Sequence, residues 1–172
     1  MATDKDILII DDEDVILDAI SKIVAFEGYT SEKCNSVNTA EEKIKSEVYN
    51  LIICDIMMPE KDGFEFLEIL KTERITTPVI ITTGYSSLEN AVRSLYEGAI
   101  GFIPKPFSVD ELSSMIKRGI EYNKIFKKNF NNQYEIENPV LDFIPCPPKY
   151  FRLGYDSWVN ETDEGIVTVG LT

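Results

Sequence analysis

The sequence predicts an α/β fold, a parallel sheet with crossover helices, and two observations carry that prediction. Across the first 128 residues short apolar runs alternate with longer stretches of helical periodicity. The runs are continuously apolar rather than alternating, which is how strands read when helices cover both faces of a sheet.

Ile7 to Ile10 predicts the first strand. Val15, Ile16, Ala19, Ile20, Ile23 and Val24 then recur at helical spacing, with Gly28 as the stop. Residues 29–34 form a weaker second strand, and 37–47 a second helix. Residues 51–54, 79–81 and 100–103 are further strands, separated by helical stretches over 64–73 and 87–97. The last helix runs from Val109 to about Lys128, opened by Ser108 and Glu111 at the spacing of a capping box. Five β-α units result.

From Asn129 the composition changes. NFNNQ is polar, and four of the eight prolines (Pro139, Pro145, Pro147, Pro148) follow closely. The organisation predicted is a domain over 1–128, a Pro-rich linker over 129–150, and a β-hairpin segment over 151–172, with Trp158 and Val159 before the NETDEG turn and Ile166, Val167 and Val169 after it. A lone hairpin is marginal in water, so this piece either packs on the first domain or begins a further one.

Composition excludes several classes of function. The 172 residues are 44% hydrophobic and 27% charged, enough apolar material for a sizeable core. They carry 17 Lys and Arg against 30 Asp and Glu, a formal charge of −13, and the acidity extends over both parts of the chain. Direct contact with nucleic acid or an anionic membrane is therefore not expected. No apolar run approaches the roughly 20 residues that span a bilayer, and the acidic start MATDKD has no basic leader, so a cytoplasmic location is expected. Cys34, Cys54 and Cys146 are odd in number and scattered, and histidine is absent, which argues against a disulfide framework or a structural zinc site. Cys54 reads as a buried small hydrophobe.

The chemistry lies at the strand ends. Asp11 and Asp12 follow the first strand directly and Asp55 follows the third. In an open parallel sheet the carboxyl ends of strands converge on one crevice. Three carboxylates there repel one another and are costly without a cation, and hard oxygen ligands suit Mg²⁺. Asp14 and Asp62 read instead as turn-starting or helix-capping acids. Lys105, stiffly held between Pro104 and Pro106, can neutralise the acids or hold a phosphoryl oxygen, and Thr83 offers a hydroxyl to the same place.

In their order and spacing, ILIIDDED, LIICDIMMPEKDGFEFL, PVIITTGYSS and GAIGFIPKPF resemble the receiver domain of bacterial two-component response regulators, over roughly Lys5 to Lys128. The resemblance implies a flavodoxin-like, doubly wound five-stranded sheet of order 2-1-3-4-5 with five helices. It implies that Asp55 is the phosphoacceptor, taking a phosphoryl group from a sensor histidine kinase or phosphotransfer protein. Asp11, Asp12, Asp55 and the main-chain carbonyl of Met57 would hold Mg²⁺. Lys105 would pair with the acyl phosphate, before a cis bond to Pro106, and Thr83 would hydrogen-bond a phosphoryl oxygen.

Thr83 and Phe102 would form the switch, Phe102 standing where the family often has Tyr. Met57 and Tyr85 occupy places that tune dephosphorylation in the family. Homodimerisation through the face of the fourth helix, fifth strand and fifth helix is a further implication, as is self-catalysed transfer and autodephosphorylation without other enzymatic activity.

Nothing after Lys128 has the length, basic charge or helical pattern of a DNA reader, so a protein-contact or other non-DNA output is expected. KYFRLGYDSWVNETDEGIVTVGLT resembles the opening strands of the H protein of the glycine cleavage system, departing at Asp156 where that family has His. This implies a truncated module whose lipoyl-bearing Lys would lie beyond Thr172. Two rival readings are a degenerate receiver serving as a scaffold, which the intact acid, Thr and Lys set opposes, and a haloacid-dehalogenase-type phosphatase. The latter wants D-x-D after its first strand, where this chain has Asp11-Asp12-Glu13-Asp14.

Overall fold

The computed structural model describes residues 5–85 and 87–131, with the strands at 151–152, 157–161 and 167–171; side chains are described as far as residue 127. The chain divides into two compact units between Asn123 and Lys124.

In the first unit, five parallel strands lie in the order β2-β1-β3-β4-β5. They are β1 (Ile7–Ile10), β2 (Ser31–Cys34), β3 (Leu51–Asp55), β4 (Val79–Thr83) and β5 (Gly101–Pro104). The connecting helices are α1 (Asp14–Phe26), α2 (Val37–Ser46), α3 (Gly63–Thr72) and α4 (Leu88–Tyr96), and α5 (Val109–Asn131) follows β5.

Strand side chains alternate between two apolar layers. Leu8, Ile10, Ile52, Cys54, Val79 and Ile81 pack with Val37, Ala40, Ile44, Phe66, Leu67 and Leu70 from α2 and α3. Ile7, Ile9, Leu51, Ile53, Ile80 and Ile103 pack with Leu17, Ile20 and Val24 of α1 and Leu112, Ile116 and Ile120 of α5. Both faces of the sheet are thus covered, as the continuous apolar runs require.

The caps set the element ends. Ser36 and Ser87 accept hydrogen bonds from Thr39 and Asn90 backbone N–H groups at the starts of α2 and α4. Ser108 and Glu111 make the expected reciprocal bonds before α5. Asp62 does the same with Glu65 at α3, a full capping box. Gly28, at φ +84°, ends the α1 turn in the left-handed region.

At the other end of the sheet from the strand-end acids, Asp6 accepts hydrogen bonds from Thr30 and Asn50, and buried Asn123 of α5 donates to Asn50.

The second unit contains an antiparallel sheet of order β6-β7-β8, from Phe151–Arg152, Ser157–Glu161 and Val167–Leu171. The expected hairpin is β7-β8, and β6 is an additional strand, too short at two residues to leave a pattern in the sequence. Cys146, the Pro-rich stretch and Ile166 lie outside the described residues.

Candidate phosphoacceptor and cation site

The register of the sheet assembles the pocket. Ile10 lies beside both Cys34 and Cys54, so Asp11 leaves β1 level with Asp55, the last residue of β3. Asp55 in turn pairs with Thr82, and Thr83 with Pro104, which brings Thr83 and Lys105 to the same edge. The Lys105 backbone N–H donates to the Thr83 carbonyl at 2.7 Å, and the Lys105–Pro106 peptide is cis.

Asp11, Asp12 and Asp55 each place a carboxylate oxygen within 4.8 Å of the others, Asp11 and Asp55 buried and Asp12 exposed. The Lys105 ammonium donates to Asp11 Oδ2 at 2.6 Å and to Asp55 Oδ2 at 3.1 Å. Asp11 Oδ1 accepts from the Glu13 backbone N–H. The second Asp55 oxygen, Oδ1, is buried with no hydrogen-bond partner among the described residues. Burial is expensive for such an atom unless something ligates it.

Burial pushes the Asp11 carboxyl up from its usual range, against the opposing pull of Lys105. Burial also works against charge on Lys105, but its hydrogen bond to Asp11 and the charges of Asp11 and Asp55 outweigh that and raise its pKa. The lysine is firmly cationic, and one ammonium faces more than one carboxylate. An orphaned carboxylate oxygen within a cluster of three acids is the donor set of a hard divalent cation.

Thr83 is buried, and its hydroxyl oxygen accepts from the Tyr85 backbone N–H at 3.1 Å. Phe102 is half-buried against the α2-α3 layer. Met57, two residues past Asp55, has a half-exposed side chain, and Tyr85 is exposed. Asp62 caps α3, the role expected of it, whereas Asp14 is the first residue of α1, whose N-cap position is Glu13. Burial raises the Cys54 thiol well above its ordinary range, consistent with an inert core residue.

Gly63 is a site residue that the reading of strand ends misses. A Cβ there would lie 2.3 Å from the Asp55 carbonyl oxygen, so only glycine lets the start of α3 approach the end of β3 this closely. The pattern that could have revealed it is the Asp-Gly pair at a helix start.

A doubly wound five-stranded sheet with acids, a threonine and a lysine at its carboxyl edge defines a flavodoxin-like domain of the receiver type. The family model for the response regulator receiver domain matches residues 7–117, and the chain belongs to this family.

The chain is 32% identical over 148 residues to the DNA-binding transcriptional regulator NtrC of Proteus hauseri, covering 84% of this chain and 31% of that protein. It is 34% identical to the regulatory protein AtoC of Escherichia coli K12, covering 71% of this chain and 26% of that one. It thus spans about a third or less of the length of these relatives. Among solved structures, a CheY-like receiver domain from Methanospirillum hungatei superposes with TM-score 0.66 at 38% identity, covering 71% of this chain and 98% of that one. The beryllofluoride-activated NtrC4 receiver domain dimer does so with TM-score 0.66 at 35% identity, over 69% and 98%. Among the described residues no helix is long and apolar enough to cross a membrane.

Proposed function

We propose that this chain is a phosphorylation switch in which Asp55 receives a phosphoryl group from a phosphohistidine on a sensor histidine kinase or phosphotransfer protein. The observation that carries the reading is the pairing of one buried ammonium, Lys105, with Asp11 and Asp55 while Asp55 Oδ1 stays unpartnered.

An Asp55 carboxylate oxygen attacks phosphorus. The O–P bond forms as the N–P bond breaks, and the imidazole leaves with the electron pair. Asp11 and Asp12, with Asp55 and the Met57 carbonyl, would hold Mg²⁺. When bound, that ion supplies positive charge that offsets the charge of the transferring group and its acidic surroundings. Lys105, freed from sharing two carboxylates, is placed to pair with the acyl phosphate, and Thr83 to donate a hydrogen bond to a phosphoryl oxygen. Positioning and charge neutralisation supply the rate, so the chain modifies and unmodifies itself and acts on no other substrate.

The output is read as a protein contact rather than DNA binding, with a cytoplasmic setting. Leu88, Val92 and Tyr96, exposed on α4, support docking or homodimerisation at the α4-β5-α5 face. The name of the NtrC relative, a DNA-binding transcriptional regulator, favours a second reading, in which the receiver governs a regulatory module of transcription. The antiparallel β6-β8 sheet is compatible with the start of an H-protein-like module as the alternative output.

Intact-mass spectrometry after incubation with Mg²⁺ and acetyl phosphate tests the reading. A base-labile adduct of about 80 Da on the wild type and not on Asp55→Ala is expected. An adduct retained in Asp55→Ala, or absent from both, overturns it.

A further inference from the structure

Thr82 is the partner of Asp55 in the parallel ladder between β3 and β4. Ile53 and Ile80, two residues earlier on each strand, belong to the α1-α5 layer. Side chains alternate along a strand, so Asp55 and Thr82 project toward that same face, from strands about 4.8 Å apart. Asp11, which follows Ile10, flanks Asp55 on the other side.

Each of the two paired residues carries a buried atom to which nothing is bonded. Thr82 has no exposed surface, and its Oγ1 has no hydrogen-bond partner among the described residues. Asp55 is 4% exposed and leaves Oδ1 in the same condition, while Oδ2 accepts from Lys105. The other such atoms among the described residues, on Ser113 and Arg118, belong to α5, so Asp55 and Thr82 are the pair that shares a rung of the sheet.

The two atoms are complementary. A hydroxyl has a proton to donate, and a carboxylate oxygen only accepts. That oxygen has two lone-pair sites, so a cation on Oδ1 still leaves one for a hydroxyl. Both side chains have the freedom to meet: the carboxyl turns about a soft torsion, and threonine exchanges hydroxyl for methyl by one staggered step. A hydroxyl buried without a partner destabilises, and valine would fill the same volume without that cost.

We propose that Thr82 is a positioning residue for Asp55: its hydroxyl donates to Oδ1 and fixes the plane of the carboxyl group as Asp55 attacks phosphorus. The proposal rests on the phosphoacceptor reading and adds to it a donor behind the nucleophile, distinct from Thr83, which faces the phosphoryl oxygens. An idle core hydroxyl predicts a different pattern, in which Thr82→Val raises the urea midpoint and leaves the chemistry of Asp55 as it was.

The test compares initial rates of adduct formation with acetyl phosphate and Mg²⁺ on the full chain, for wild type, Thr82→Val, Thr82→Ser and Ile80→Val. Ile80→Val removes a methyl group from the same strand and layer and no hydroxyl, and serves as the control. Losing a hydrogen bond to a charged acceptor is expected to slow Thr82→Val about ten-fold, with Thr82→Ser and the control within about two-fold of wild type. The urea midpoint of Thr82→Val is expected not to rise. A Thr82→Val rate within about two-fold of wild type, a Thr82→Ser rate as slow as that of Thr82→Val, or a raised midpoint in Thr82→Val overturns the proposal.

The Asp55 ¹³Cγ resonance, recorded without Mg²⁺ or phosphoryl donor, is an independent readout. It is expected to move in Thr82→Val, to return in Thr82→Ser and to stay in place in Ile80→Val; a resonance unmoved in Thr82→Val overturns the hydrogen bond. A wild type that takes no adduct overturns the phosphoacceptor reading instead, and the resonance and the urea midpoint then decide the Thr82 bond alone.

Discussion

Gly63 lies so close to Asp55 that a methyl group on its Cα would meet the Asp55 carbonyl oxygen at 2.3 Å and the Ile56 Cα at 2.9 Å. Both obstacles are backbone, so the substitution Gly63→Ala must shift the end of β3 or the start of α3. The Gly63 N–H bond to the Ile56 carbonyl would be strained by the same shift. Gly63→Ala is expected to cost about 1 to 3 kcal/mol in urea unfolding and to slow Asp55 adduct formation by at least about ten-fold. Leu67→Val, on the same helix but away from the pocket, should cost about 1 kcal/mol with little effect on that rate.

Lys105 neutralises two buried acids at once. In Lys105→Ala the acids face each other without it, and a divalent cation becomes the main remedy for their repulsion. The rise in Tm caused by Mg²⁺ should therefore be larger in Lys105→Ala than in the wild type, read by calorimetry at equal ion concentration. Adduct formation should nevertheless fall, because the counter-charge for the acyl phosphate is gone. A smaller Mg²⁺ response than wild type would contradict the assignment of these acids to a cation.

Glu32, on the edge strand β2, gathers Lys5 at 2.9 Å, Lys43, and the Tyr49 hydroxyl at 2.9 Å. Burial opposes its charge, but the hydrogen bonds from Lys43, Lys5 and Tyr49 prevail and hold its pKa down at about 2. A carboxylate depressed on folding stabilises above its unfolded pKa of 4.5, and that contribution disappears as pH falls toward 2. The wild type should exceed Glu32→Gln by on the order of 2 kcal/mol at pH 6, with the gap closing between pH 4.5 and 2. A gap independent of pH across that window would refute the account.

Asp62 and Glu65 bond reciprocally at the start of α3, at 2.8 Å in each direction. Asp62→Ala should lose about 1 kcal/mol, and Asp62→Asn, which keeps an acceptor oxygen, should recover most of it in the same urea titration.

Much of the fold was written in apolar runs, and the runs fail where the ladder carries polar residues. β3 continues into Asp55 and β4 into Thr82 and Thr83, because hydrogen bonds between strands do not depend on side-chain polarity. β2, with the sequence SEKC, is an edge strand and shows only partial burial, so its signal was weak. The acids and Lys105 were legible because strand ends are fixed points of an open parallel sheet. The Thr83–Tyr85 bond and the stacking of Arg93 on Phe64 were not, since each depends on how a loop or a helix pair settles after the sheet has formed.

Cys54 stands next to Asp55 with no exposed surface, and Cys34 is nearly as deep in the same apolar layer. Burial moves the Cys34 thiol up to about 11 and raises the Cys54 thiol well above its ordinary range, so neither reacts from the closed protein. An alkylating reagent can reach them only when the α2-α3 layer lifts from the sheet. The pair is thus a chemical clock beneath the pocket, ticking at the rate at which that helical layer opens.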